Sequence, residues 1–188
     1  MDVRRHLHRE ISSAMSAQQP VTPSVMGQTI LRLGEVVSTN DVAREKAEAQ
    51  APEGYTVIAA RQTGGRGRRG RTWTSPEGKG LYMSVILRPT WPASEAGWLS
   101  TLGGVVVAAA LESLGLQKIF LKWPNDVLIK GRKIAGILIE PRLSRDRIEF
   151  AVMGMGVNVR QLKEDWGDEL VGRATSCLLE KVDIPFDI

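Results

Sequence analysis

The order of strand and helix patterns limits the fold of this chain more than any other feature of its sequence. Strand, helix, strand, strand and helix patterns follow one another first, and a run of strands joined only by turns comes after them. The predicted strands are Ile30–Val37, Tyr55–Ala60, Leu81–Leu87, Ile119–Lys122, Val127–Ile129, Ile134–Glu140 and Ile148–Val159, and the predicted helices are Val42–Ala49, Ser94–Leu114 and Ala174–Lys181. Because a doubly wound fold would need a helix between nearly every pair of strands, this order predicts an α+β or mixed α/β fold: a mixed β-sheet flanked by helices that lie on one side.

Two helices carry further local signals. Ser38 to Asp41 has the spacing of a capping box, so we expect a helix to begin at Ser38 with that arrangement of side chains. The apolar run Val105–Leu111 within the next helix predicts that this helix is buried. Before these elements, residues 1–28 are polar and are broken by Pro20 and Pro23, which predicts a tail with at most one short helix at Val3–Ser13.

The composition excludes several classes of protein. The chain has one cysteine, Cys177, so it has no internal disulfide framework, and we interpret this side chain as a small buried apolar group rather than a nucleophile. The two histidines, His6 and His8, lie in the tail, so no catalytic triad or metal cluster is apparent. No run of about 18 apolar residues and no signal peptide is present. We therefore expect a cytoplasmic protein without a membrane segment.

A long glycine-rich loop, residues 62–79, carries most of the charge asymmetry. The net charge is +4, and Arg61–Trp73 contains five arginines and no acidic residue. Glycines let backbone N–H groups approach an anion closely, and arginines add bidentate donors, so the loop predicts a phosphate site. The formal G-x-G-x-x-G at Gly65–Gly70 is not followed by a helix and is no dinucleotide fingerprint. A solvated basic loop and a non-specific RNA-binding segment remain alternatives.

Two segments further along the chain combine cations with short polar side chains. Lys122–Asp126 follows a strand, where ligands often sit, and Asp126 is a candidate base or metal ligand. The alternative is a plain turn with Trp123 in the core. Lys133 begins the apolar strand Ile134–Glu140, where partial shielding from water would strengthen its attraction for phosphate. A solvated hairpin lysine is the alternative there.

Gly154 and Gly156 lie two residues apart in a strand that is otherwise apolar. Alternate residues of a strand share a face, so one face of this strand is bare at both positions. A flat ligand or another backbone would fit against such a face, and close packing of strands is the alternative.

Five segments in one order resemble the biotin–protein ligases. They are Ser38–Asn40, Gly65–Arg71, Lys122–Asp126, Lys133–Glu140 and Gly154–Asn158. The resemblance extends from about Leu31 to Leu179, and it implies the catalytic fold of biotin and lipoate ligases, which is like that of class II aminoacyl-tRNA synthetases. It also implies an enzyme that uses ATP and Mg²⁺ to form biotinyl-5'-AMP and then attaches biotin to a lysine of a biotin carrier protein, such as the carrier subunit of acetyl-CoA carboxylase.

The resemblance assigns roles to the residues that match the family's motifs. It implies that biotin is bound by Ser38, Thr39, Asn40, Gln62, Arg66, Gly67, Arg68, Lys133 and Gly136. It implies that ATP and the adenylate are bound by Arg66, Arg68, Arg71, Trp123, Asn125, Lys133 and Asn158. The implied catalytic residues are Lys133, Arg68 and Asp126, with Asp126 receiving the proton of the acceptor lysine or orienting the metal. The protein itself holds no metal in this scheme, because Mg²⁺ arrives on ATP.

The chain departs from the family's longer members at both ends. Residues 1–28 are expected to form a polar tail without a winged helix-turn-helix, so no DNA binding is expected, and residues 29–188 are expected to form the catalytic domain. The C-terminal β-barrel and the last catalytic-domain helix are expected to be absent, and we expect their absence to impair the enzymatic activity. A lipoate or octanoate ligase and a non-catalytic biotin-binding fragment are the rival functions. The sequence leaves a homodimer open.

Overall fold

The strands and helices of the computed structural model, which describes residues 26–184, lie close to the predicted positions. The strands are β1 (Ile30–Val36), β2 (Thr56–Gln62), β3 (Gly80–Leu87), β4 (Ile119–Lys122), β5 (Asp126–Ile129), β6 (Arg132–Ser144) and β7 (Arg147–Asn158). The helices are α1 (Thr39–Glu48) and α2 (Trp98–Ser113). The predicted helix at Val3–Ser13 falls outside the described residues.

All seven strands belong to one mixed sheet with the order β1-β2-β3-β7-β6-β5-β4. Strands β1 and β2 are parallel, with α1 between them along the chain, and every other neighbouring pair is antiparallel. Turns join β4 to β5, β5 to β6 and β6 to β7. The tight turn between β5 and β6 uses positive φ angles at both Lys130 (50°) and Gly131 (78°), as expected for a two-residue hairpin. The predicted mixed sheet is confirmed.

The two helices lie on opposite faces of this sheet, so the predicted one-sided arrangement is wrong. On β7, Phe150 and Val152 belong to the apolar cluster that contains Ala43 of α1. Ala151 and Met153, which point the other way, belong to the cluster that contains Leu99 of α2. Because β7 is apolar on both faces, it needs a cover on each side, and the order of elements along the chain does not reveal which face each helix takes.

Helix α1 begins after Ser38 as predicted, but the capping box does not form. The side chain of Ser38 makes no capping hydrogen bond. The carboxylate of Asp41 turns instead to Arg66, 2.7 Å away, and to Arg44, also at 2.7 Å. The carboxylate therefore forms ion pairs with two arginines in place of the capping-box hydrogen bond that the Ser38–Asp41 spacing predicts.

Helix α2 is only half covered, so the predicted burial of its apolar run is wrong in part. Leu99, Val107 and Leu111 are buried, whereas Val105 and Val106 are about half exposed, at 48% and 55%. The helix is uniformly apolar around its axis, and only the side toward the sheet is covered. Neither helix in residues 26–184 combines the length and apolarity that crossing a bilayer requires.

The predicted helix at Ala174–Lys181 is replaced by turns. Ala174 forms a bridge to Lys133, and Ser176 Oγ donates a hydrogen bond to the carbonyl of Gln161 at 2.7 Å. The side chain of Glu180 reaches Arg132 at 2.6 Å. These contacts pin the segment against β6 at several points, and their directions do not suit a continuous helix.

Candidate functional site

One cleft of about 920 Å³ opens on the α1 face of the sheet. Its walls are the start of α1, the glycine-arginine loop, the turn before β5, and residues 166–174. Every site residue predicted from the sequence lines this cleft, namely Ser38, Thr39, Asn40, Gln62, Arg66, Gly67, Arg68, Arg71, Trp123, Asn125, Asp126, Lys133, Gly136 and Asn158. Fold contacts thus bring together residues up to 120 positions apart, while their individual roles remain predictions.

The floor of the cleft consists of glycines on β6 and β7. Gly136 is paired with Gly156, so both face the same side of the sheet. A Cβ atom at position 156 would lie 2.5 Å from Cε2 of Trp73, and one at position 154 would collide with the side-chain oxygen of Asn40. The bare face predicted from the sequence is therefore covered by the protein's own side chains. Only glycine permits them to approach this closely.

A buried polar cluster stands at the α1 end of the cleft. Gln62 Oε1 accepts hydrogen bonds from the backbone N–H of Thr39 at 2.8 Å and from its hydroxyl at 3.0 Å. Ser84 Oγ lies 2.7 Å from Thr39 Oγ1 and 2.6 Å from Asn40 Oδ1. The Nδ2 group of Asn40 is buried and has no hydrogen-bond partner in the described structure. This cluster offers a donor and hydroxyls to a small polar ligand.

The tip of the glycine-arginine loop is a short, self-bonded finger. The backbone N–H of Trp73 donates to the carbonyl of Gly65 at 2.9 Å, and that of Gly67 donates to Arg71 at 2.6 Å. A tight turn at Arg68–Gly70 closes the finger, with Arg69 at a positive φ of 59°. The finger holds the guanidinium of Arg68 within 3.3 Å of Asn125 Oδ1, across the cleft.

Arg66, at the base of the finger, is bound by two carboxylates. Its guanidinium meets Asp41 at 2.7 and 2.8 Å and Glu140 at 3.3 Å. The hydrogen bond from Arg66 is the main reason that the pKa of Asp41 lies below its ordinary value, and the same bond raises the pKa of Arg66. The ion pair is therefore fully charged at neutral pH.

Lys133 stands at the centre of the cleft. Its Nζ lies 2.7 Å from Asp126 Oδ1 and 5.1 Å from the centre of the Trp73 ring. The side chain is one-third exposed, and its backbone is fixed by hydrogen bonds with Arg173 and Thr175. The Nε1 group of Trp73 is buried without a partner in the described structure. A fixed ammonium, an aromatic face and an unpaired donor therefore converge at one point.

Two of the residues predicted to contact the nucleotide differ in solvent exposure and in the hydrogen bonds that they already make. Trp123 is 79% exposed at the rim and is joined to Pro124 by a cis peptide bond. Asn158 is 4% exposed, and its amide already binds the carbonyl of Thr175 at 2.9 Å and Gln161 Nε2 at 3.3 Å. Its polar atoms build the wall of the cleft. Contact with a nucleotide remains a prediction for both residues.

The cleft is strongly cationic. Seven of its lining residues are basic, namely Arg66, Arg68, Arg69, Arg71, Lys122, Lys133 and Arg173, and two, Asp126 and Glu169, are acidic. No carboxylate within residues 26–184 forms an ion pair with Arg68, Arg69 or Arg71. A cleft with this balance is suited to a ligand that carries several negative charges.

Cys177 lies away from this chemistry. It is fully buried, and burial raises the pKa of its thiol to about 11. A thiol with so high a pKa is protonated at neutral pH and is a poor nucleophile. The interpretation as a buried apolar group is confirmed.

Sequence reasoning missed four residues that shape the cleft. Trp73 covers the glycine floor, Ser84 completes the polar cluster, and Asp41 and Glu140 hold Arg66. Trp73 closes the arginine segment and could have been found as an aromatic beside a phosphate loop. The other three come from α1, β3 and β6, and no spacing in the sequence links them to the loop.

Comparison with known proteins gives one consistent family. The sequence profile of the biotin/lipoate A/B protein ligase family matches residues 33–158. The bifunctional ligase/repressor BirA of Bacillus spizizenii is 43% identical over 152 residues, which are 81% of this chain and 47% of that protein. The biotin--[acetyl-CoA-carboxylase] ligase of Mycobacterium tuberculosis is 39% identical over 133 residues, 68% of this chain and 48% of that protein. The chain spans about half the length of these curated relatives.

Solved structures agree with the sequence comparison. A biotin protein ligase from Aquifex aeolicus in complex with biotin and ATP has a TM-score of 0.66 and 36% identity, covering 85% of this chain and 63% of that one. A biotin protein ligase from Leishmania major in complex with biotinyl-5-AMP has a TM-score of 0.64 and 32% identity, covering 82% and 66%. The sheet described above is therefore the catalytic fold of this group of enzymes.

Proposed function

Because this chain belongs to the biotin/lipoate A/B protein ligase family, we propose that its cleft activates biotin with ATP and that the biotinyl group then passes to a lysine of a biotin carrier protein. One observation carries the proposal. A fixed lysine and a finger of unpaired arginines face one cleft, and a buried polar cluster occupies its α1 end. This is the arrangement that two anionic reactants require if one of them also has a polar ring.

The first step joins two anions, so the cations must offset their repulsion. An oxygen of the biotin carboxylate attacks the α-phosphorus of ATP, the bond from that phosphorus to the bridging oxygen breaks, and pyrophosphate leaves. In the proposal Lys133 contacts the carboxylate and the α-phosphate, while Arg68 and Arg71 approach from the finger. Preorganised charges of this kind stabilise the charge that develops in the transition state.

The second step transfers the acyl group from the adenylate. The neutral amine of the acceptor lysine attacks the acyl carbon, the bond from that carbon to the phosphate oxygen breaks, and AMP leaves. The amide nitrogen must then lose a proton. Asp126 is the proposed acceptor, because its carboxylate already lies in the cleft beside Lys133 at 2.7 Å. It would have to reach the amine directly or through one water molecule.

The polar cluster at α1 is the proposed site for the ureido ring of biotin. That ring offers two N–H donors and one carbonyl acceptor, and hydroxyls and amides can match both kinds of group. Ser38, Thr39, Asn40 and Gln62 lie together there, and the free Nδ2 group of Asn40 is a ready donor. A lipoyl chain has no such ring and would leave this buried donor without a partner. This difference favours biotin over lipoate or octanoate.

The proposed metal requirement is Mg²⁺ carried on the phosphates of ATP. Residues 26–184 contain no group of three His, Cys, Asp or Glu side chains that could hold a metal ion. Mg²⁺ in nucleotide sites uses one or two carboxylates together with substrate phosphates. Asp126 and Glu169 line the cleft and fit that small number. When bound, the ion would neutralise charge on the pyrophosphate leaving group.

Several finer assignments belong to the same proposal. We place the catalytic unit at residues 29–188, and we place the protein in the cytoplasm. Trp123, Asn125 and Asn158 are proposed to lie beside the nucleotide. A homodimer is left open.

A carrier-labelling assay tests the function. The purified chain is incubated with ATP, Mg²⁺, a biotin carrier domain, and either biotin or lipoate, and the carrier is then weighed by mass spectrometry. Addition of one biotinyl group supports the proposal. Addition of lipoyl and no biotinyl group assigns the rival ligase, and biotin binding without pyrophosphate release identifies a non-catalytic binder.

A further inference from the structure

We propose that Asp41 and Glu140 are positioning residues that latch the arginine finger over the cleft by holding Arg66. In this assignment the guanidinium of Arg66 holds the loop in place, whereas those of Arg68, Arg69 and Arg71 are available to bind the ligand. The latch is defined here as Asp41, Arg66 and Glu140. Its effect on ligand retention rests on the proposed function, but its effect on the loop does not.

The hydrogen bonds of Arg66 indicate that its side chain anchors the loop. Its two terminal nitrogens bind the two oxygens of Asp41 at 2.7 and 2.8 Å, a bidentate pairing that fixes the plane of the guanidinium. One of these nitrogens also reaches Glu140 at 3.3 Å. Asp41 belongs to α1 and Glu140 to β6, so a single side chain of the loop is tied to two elements that are distant in sequence.

A neighbouring arginine, Arg44, balances the charge of the latch. Arg44 lies 2.7 Å from Asp41 and 4.0 Å from Glu140. Two guanidinium groups therefore face two carboxylates, and the positive charge of Arg66 is already neutralised. Since Arg68, Arg69 and Arg71 have no acidic partner within residues 26–184, the loop divides its arginines between anchoring and free charge.

The finger transmits this anchoring to its tip. Arg66 forms a bridge with Thr72, and the hydrogen bonds at Gly65 and Gly67 close the finger upon itself. A self-bonded finger moves as one piece, so fixing its base also fixes the direction of Arg68. Trp73, on the returning side of the finger, is held over Gly156 and beside Lys133 by the same base.

The latch matters because an acyl-adenylate is reactive. If the finger swings away, the mixed anhydride leaves the cleft and reacts with water or with amines other than the proper acceptor lysine. Closing loops in enzymes exclude water and commit the bound substrate in this way. A latch built from partly exposed ion pairs holds the finger and still lets it open within each catalytic cycle, because such pairs contribute little free energy.

Limited proteolysis tests the latch without any ligand. Trypsin cleaves after Arg68, Arg69 and Arg71, and the double variant Asp41→Asn/Glu140→Gln leaves all three sites in place. We expect cleavage in the finger to become about tenfold faster, as for a local opening that has lost its ion pairs. Cleavage within twofold of the wild type would overturn the latch.

Matched variants separate the latch from general loss of charge. Arg44→Gln removes one cation from the group but keeps the bond from Arg66 to Asp41, and Glu35→Gln removes a carboxylate that pairs with Arg61 on the edge of the sheet at 3.1 Å. Both should be cleaved at the wild-type rate. Arg66→Lys keeps the charge and loses the bidentate bond, so it should give an intermediate rate even if the double variant folds poorly. An unchanged rate for Arg66→Lys would also count against the latch.

A second readout addresses retention of the ligand. The dissociation rate of a non-hydrolysable sulfamoyl analogue of biotinyl-5'-AMP is measured by competition. We expect it to rise about tenfold in the double variant, with the rate of pyrophosphate release changed much less. If the finger opens but the analogue leaves at the wild-type rate, the role in retention is wrong. If no variant and not even the wild type binds the analogue, the proposed function fails, and the proteolysis result still decides the latch.

Discussion

The two walls of the cleft are held by similar ion pairs in different surroundings. The arginine finger is held by Asp41 and Glu140, whose side chains are 27% and 28% exposed. The opposite wall, which carries Lys133, is held by Glu180, whose side chain is 5% exposed and binds Arg132 at 2.6 Å and Lys130 at 2.9 Å. An ion pair between two partly exposed groups is worth little and opens easily, whereas removing the cations from a buried carboxylate leaves an uncompensated charge. The difference indicates one fixed wall and one adjustable wall.

The largest effect should come from the centre of the fixed wall. Lys133→Ala removes the ammonium that we place between the carboxylate and the α-phosphate, and we expect adenylation to slow by at least about a hundredfold, the scale of losing one preorganised charge. Arg68→Ala should have a comparable effect from the adjustable wall. Biotin-dependent pyrophosphate release measures both rates. Arg61→Ala, which removes an arginine paired with Glu35, is the control and should retain activity.

The floor between the walls gives the next largest effect. Gly156→Ala places a Cβ about 2.5 Å from the Trp73 ring, so the indole must move. Such overpacking costs on the order of 1–3 kcal/mol of folding stability. We also expect the displaced indole to enter the cleft and to lower the affinity for biotin by about tenfold to a hundredfold. Calorimetry and tryptophan fluorescence report binding and the position of the ring. Unchanged affinity with unchanged fluorescence would show that the floor tolerates a methyl group and that our account of these glycines is wrong.

Matched isosteric substitutions test the comparison of the walls itself. Glu180→Gln weakens hydrogen bonds to charged groups in a buried site, so we expect the free energy of unfolding to fall by about 1–3 kcal/mol. Asp41→Asn alters a partly exposed pair, so the fall should stay below about 1 kcal/mol. Urea unfolding at pH 7 measures both. Equal losses would remove the distinction between a fixed and an adjustable wall.

The smallest effect is a dependence on pH. Burial alone would raise the pKa of Glu180, but hydrogen bonds from Lys130 and Thr175 and the charges of Arg132 and Lys130 outweigh it, and the pKa lies below its ordinary value of 4.5. A lowered pKa in the folded state stabilises the protein above pH 4.5, and this contribution is lost as the pH falls further. The difference in unfolding free energy between wild type and Glu180→Gln should therefore shrink below pH 4.5. A difference that persists at pH 3 would contradict this assignment.

The sequence predicts the strands and the set of cleft residues well, because both depend on local pattern. Alternation and turn residues locate all seven strands, and every residue that the matching motifs assign to the site lines the cleft. The capping box at Ser38 fails for a different reason. The carboxylate of Asp41 has a choice between a nearby backbone N–H group and two guanidinium groups, and one of these, Arg66, becomes its neighbour only after folding.

The remaining errors also come from contacts that lie far apart in the chain. An apolar helix such as α2 looks the same in sequence whether it is covered on one side or all round, so the exposure of Val105 was not foreseeable. The Ala174–Lys181 segment has helical composition, but its bridge to Lys133 and the pull of Glu180 on Arg132 decide its shape. Hydrophobic periodicity and composition indicate which secondary structure a segment favours, but they do not indicate which other segments it contacts.

The face of strand β7 that points away from the cleft can affect the position of the cleft floor. Gly154 and Gly156 form the floor on one face, and Met153 packs on the other face, close to Gly103 of α2. A change in the size of Met153 would tilt the strand and raise or lower the floor by fractions of an ångström, because closely packed interiors transmit such shifts. The shape of the cleft floor can thus be altered from the reverse side of the sheet, through Met153, which does not line the cleft.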